Sequence, residues 1–94
     1  MGVLAIRVNL RGNRSLKEKR RIVRSVLART QSKFNVSAAE VDDQDLHHTA
    51  LLSVVCVSND SSHIDSVLDK ILAFMASARP EVEFSPEFRE HIRF

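Results

Sequence analysis

The apolar residues of this chain change period from two to about 3.6 and back, and do so twice. Val3–Leu10 alternates, with Leu4, Ile6, Val8 and Leu10 on one side and Ala5, Arg7 and Asn9 on the other. That pattern is a strand with one buried face. Arg11-Gly12-Asn13-Arg14 is a turn, and Ser15-Leu16-Lys17-Glu18 is a capping box. In it the Ser15 hydroxyl accepts from the N–H of residue 18, and Glu18 reaches back to the N–H of residue 15. The helix this starts is predicted to run to about Ser32, with Leu16, Val23, Val26, Leu27 and Thr30 on one face.

The second half repeats the theme. Phe34 to Val41 is a weaker strand whose apolar positions do not alternate cleanly, as at an edge or a bulge. Asp42-Asp43-Gln44-Asp45 is a polar turn. Thr49–Val57 is apolar on both sides, which predicts a central strand. Ser58-Asn59-Asp60-Ser61 ends it and caps a helix striped by Ile64, Val67, Leu68, Ile71, Met75 and Ala78 and stopped by Pro80. Glu81–Phe84 is a last strand. After Pro86, Phe88, Ile92 and Phe94 either extend the sheet or fold back over it. The order βαββαβ predicts an α+β, ferredoxin-like sandwich over residues 1–94. Its four-stranded antiparallel sheet carries two helices on one face, and its third strand lies between the first and second.

At 94 residues, with 44% apolar and 28% charged side chains, the chain has the composition of one folded domain. A single cysteine, Cys56, excludes an internal disulfide and a cysteine zinc cage. The apolar run at Ala50–Val57 is too short to span a bilayer. No basic region precedes the first apolar residues, so a cytoplasmic protein is expected, and the Asn-x-Ser triplets at Asn13, Asn35 and Asn59 are read as chance. Gly2 does not complete a myristoylation signal, because position 6 is Ile.

Ser15-Leu16-Lys17-Glu18-Lys19-Arg20-Arg21, Phe34-Asn35-Val36-Ser37, Glu40-Val41-Asp42-Asp43-Gln44-Asp45 and Val57-Ser58-Asn59-Asp60 together resemble the YlxP-like family of small bacterial proteins. The resemblance covers roughly residues 3 to 75. It implies a ferredoxin-like fold and, because genes of the family often sit among translation and ribosome-maturation genes, a ribosome-associated role. It implies no catalytic residues. Members often carry Trp-Gln after the acidic turn, where this chain has His47-His48.

Charge is segregated. Residues 11 to 33 hold nine basic groups and one acid, a net of +8, and the rest of the chain is −6. Lys17, Arg20, Arg21 and Arg24 share one arc of the helix, and Arg11 and Arg14 precede its N-terminus, where free N–H groups already favour an anion. Like charges at this spacing repel one another, and only Glu18 is within helical reach to relieve them. A solvated face or a protein contact would suit such a stripe. The cost without local compensation points further, to an anionic partner, with RNA phosphate the commonest. Lys19 instead projects toward the apolar stripe, and its ammonium is expected to snorkel past the sheet edge.

Other chemistry is thinner. The two central strands offer no aromatic ring on which a base could stack. Asp42, Asp43, Asp45, His47 and His48 cluster, but adjacent histidines on a strand point to opposite faces, and Asp-rich turns form for their own hydrogen bonds. Arg11-Gly12-Asn13-Arg14-Ser15 offers one glycine where a phosphate-processing enzyme of this fold would need a glycine-rich cradle. Cys56 reads as a buried small hydrophobe, and His63 as exposed and incidental. The sheet face away from the helices carries Ala5, Leu51, Val55 and Val57, apolar enough to be covered by a second copy, a partner or the C-terminal segment. The expectation is a non-enzymatic module without cofactor or metal. It binds RNA or a ribosomal subunit through Arg11, Arg14, Lys17, Arg20, Arg21 and Arg24. A protein-interaction or homodimer module is the alternative, and a phosphate-processing enzyme ranks behind both.

Overall fold

The computed structural model describes residues 1–13, 15–42 and 46–93. Its elements are β1 (Gly2–Asn9), α1 (Leu16–Lys33), β2 (Ser37–Asp42), β3 (Thr49–Cys56), α2 (Ser61–Ala78) and β4 (Glu83–His91). They form one antiparallel sheet in the order β2-β3-β1-β4, with both helices on one face, a ferredoxin-like arrangement.

Alternation becomes packing directly. Leu4, Ile6 and Val8 of β1 and Ala50, Leu52, Val54 and Cys56 of β3 point under the helices. They meet Val23 and Val26 of α1 and Ile64, Leu68, Ile71 and Met75 of α2. Each large aliphatic side chain so buried contributes roughly 1.5–3 kcal/mol. The helix boundaries are chemical: Glu18 N–H donates to Ser15 Oγ at 3.3 Å, and Asp60 Oδ1 accepts from the N–H groups of Ser62 and His63. Gly12 holds the β1–α1 turn at φ +75°, in the left-handed region that glycine tolerates. Gly2 has a different reason. A Cβ there would sit 2.2 Å from Ile64 Cγ2, so β1 passes α2 where only a bare backbone fits.

Several expectations are corrected. Phe34 is the C-cap of α1, and β2 starts at Ser37. This strand is indeed an edge, and its register shifts between Glu40 and Asp42, which explains the broken alternation. The last strand is not Glu81–Phe84: β4 runs from Glu83 through Pro86 to His91, and Ile92 extends it by exchanging backbone bonds with Met1. Pro86 is tolerated because β4 is an edge, and the register shift opposite Ala5 and Ile6 falls beside it. The C-terminal segment therefore lengthens the sheet instead of covering its open face (Phe94 lies outside the described residues). Val57 follows β3 and is 70% exposed. Across the open face Val55 pairs with Val3, and Phe88, half exposed, pairs with Ala5.

Lys19 does not snorkel to water. Its side chain is 0% exposed, and its ammonium lies 3.0 Å from Glu40 Oε2 on β2 and donates to the Leu46 carbonyl at 2.6 Å. Both stem and charge are inside, between α1 and the sheet edge.

Candidate nucleic-acid interface

The face of α1 opposite its buried stripe is cationic. Lys17, Arg20, Arg21 and Arg24 are all exposed and together bound a shallow depression along the helix. Lys17, Arg20 and Arg24 have no carboxylate partner among the described residues. Arg21 is paired with Glu18, its Nε donating at 3.3 Å, and the pairing lowers the Glu18 carboxyl below its ordinary range and raises the Arg21 guanidinium. Arg11 reaches across to Glu83 at 3.1 Å on the first residue of β4. Both pairs are exposed, so each contributes little to stability. Arg14 lies outside the described residues. Three of the six expected contact residues thus stand ready, and two are lightly held.

The N-terminal end of this face is tied to the β2–β3 connection by three successive carbonyls. Leu46 O accepts from Lys19 Nζ, His47 O from Asn13 Nδ2 and His48 O from Leu10 N–H at 2.8 Å. His47 Nδ1–H donates back to the Asn13 carbonyl at 2.9 Å. Sequence reasoning missed this latch, because its side-chain donors and their acceptors lie 27 and 34 positions apart. It also corrects the placement of the histidines. His47 and His48 precede β3, and their exposed rings meet edge to face with centroids 5.5 Å apart beside the start of α1.

Asp43, Gln44 and Asp45 of the acidic turn lie outside the described residues, and among those described no three His, Cys, Asp or Glu side chains are arranged so that they could hold a metal ion. Cys56 is buried in the core, and His63 is exposed in the first turn of α2. At the N-terminus of α2 the Asp60 carboxylate takes the free N–H groups, so an anion finds them occupied. No helix among the described residues is long and apolar enough to cross a membrane.

Residues 1–86, which include the whole of α1 and most of the sheet, match the family described as "Protein of unknown function (DUF503)". The chain belongs to the DUF503 family. It is 39% identical over 69 residues to "Uncharacterized protein YlxP" of Bacillus subtilis, a span covering 73% of this chain and 74% of the Bacillus protein. The YlxP-like resemblance read from the capping box and acidic turn is therefore correct. In DUF503 terms, the basic face of α1 and the latch at its N-terminus both fall inside the matched region.

Proposed function

We propose that this DUF503 protein is a non-enzymatic, cytoplasmic module that docks on RNA, free or within a ribosomal subunit, through the outer face of α1. The observation that carries the reading is the set Lys17, Arg20 and Arg24, exposed within one arc of one helix and without a carboxylate partner among the described residues. A row of cations on one helix face suits a phosphate backbone, and phosphate contacts position a protein without reading sequence. The test is sedimentation of the protein with purified ribosomal subunits. Binding at low ionic strength that is released at high ionic strength supports the reading. Protein left in the supernatant in both, with no retention of free RNA, contradicts it.

A second reading has its own observation. The open sheet face is uncovered among the described residues and presents Val3, Ala5, Leu51, Val55 and Phe88 together. A second copy on this face would leave α1 facing outward, so the two readings are compatible.

A further inference from the structure

We propose that the groove between the last turn of α1 and the outer side of α2 receives an unpaired nucleobase of a single-stranded RNA, with Lys33 and Lys70 on the flanking phosphates. The proposal rests on the phosphate reading of α1 and names the strandedness of its ligand.

The groove is open, about 430 Å³, and lies outside the face described above. Its floor is aromatic: Phe34 and Phe74 are both half-buried, with ring centroids 5.7 Å apart and planes at 73°. Ala73 and Ser77, one turn apart on α2 and lining the same groove, are small, so the walls beside Phe74 are low. Lys33 holds its ammonium 4.9 Å from the Phe74 centroid, and Lys70 borders the same groove. Neither lysine has a carboxylate partner among the described residues.

The route into the groove is written on α1. Lys17, Arg21, Ser25, Arg29 and Lys33 are spaced by four and form one ridge, basic at every position but Ser25. Such a ridge is inclined to the helix axis. It leads from the outer face at the N-terminal turns round to the α2 side at Lys33, over about 24 Å. A strand whose phosphates follow it arrives at the two phenyl rings. A base stacking on Phe74 displaces the Lys33 ammonium from the ring, and the released cation meets the adjacent phosphate. A duplex offers no such base, and a stacked ring tolerates any of the four, so the ligand is single-stranded and little specified in sequence. An acidic protein segment would satisfy the lysines but make no use of the half-open ring faces between them.

The test compares two labelled strands of about 12 nucleotides, oligouridine and the same backbone without bases, binding to the wild-type protein by fluorescence anisotropy at low salt. The proposal expects the base-bearing strand to bind about tenfold tighter, one stacked base's worth. It expects Phe74→Leu to reduce that ratio to about twofold, and Lys33→Ala with Lys70→Ala to weaken both strands alike. Equal binding of the two strands by wild type overturns the base site and leaves the phosphate face of α1 intact. Failure to bind either strand overturns both. Competition by poly-glutamate as effective as that by oligouridine, and unchanged by Phe74→Leu, also overturns it and makes an acidic protein the occupant.

Discussion

Lys19 Nζ lies 3.0 Å from Glu40 Oε2, with the lysine side chain wholly buried and the glutamate 16% exposed. The pair joins the first turns of the basic helix to the edge strand β2, and the same ammonium holds Leu46 O. Taking both charges out of water is costly, and their mutual attraction offsets that cost only while both are present.

Lys19→Met keeps the volume and removes the ammonium that faces Glu40 Oε2, so urea unfolding should show a loss of about 3 kcal/mol. Adding Glu40→Leu should recover more than half of it, because an apolar pair avoids the desolvation. A double variant no more stable than the single one would mean that the charges do not act as a pair.

The sequence carries one side of this pair and hides the other. Lys19 interrupts an apolar stripe, which is visible from periodicity, but its partner is 21 positions away on a strand whose register shifts beside it. Hydrophobic period was enough for both helices and for the central strands, because burial dictates it residue by residue. It was not enough for β4, where Pro86 and the charged positions after it look like the end of a strand and are instead the ordinary dress of an edge. The cationic arc of α1 was legible, since local spacing alone defines it. The pairing of Arg11 with Glu83 was not, because β4 had first to be placed beside β1.

Gly2→Ala puts a methyl group against Ile64, a stiff, buried, β-branched side chain that cannot swing aside. Overpacking of this kind costs about 1–3 kcal/mol, read as a lower denaturation midpoint. A midpoint equal to that of wild type would show that β1 is free to move away from α2.

Asp60 caps α2, and its carboxyl is lowered below the ordinary range, first by the Ser62 hydroxyl and then by the N–H groups of His63 and Ser62. A depressed carboxyl stabilises the fold above its unfolded pKa, and that contribution is lost as pH falls through its lower folded value. Asp60→Asn keeps an acceptor for the cap, so its Tm should stay close to wild type at neutral pH and fall less steeply in acid. Parallel Tm curves for the two proteins across the acid range would contradict this.

Val55 sits at the middle of the open sheet face, paired with Val3. If a second copy covers that face, light scattering should give twice the chain mass for wild type and the single-chain mass for Val55→Lys. One mass for both proteins removes the dimer reading and leaves α1 untouched.

The most direct test of the phosphate-docking face is the salt dependence of RNA binding, measured by anisotropy with a single-stranded oligonucleotide. The account predicts a log–log slope of about −2 to −4, as for roughly three to five neutralised phosphates, and loss of binding in Lys17→Glu/Arg20→Glu/Arg24→Glu with an unchanged far-UV CD spectrum. Binding indifferent to salt, or retained at wild-type strength by a folded triple variant, would contradict it.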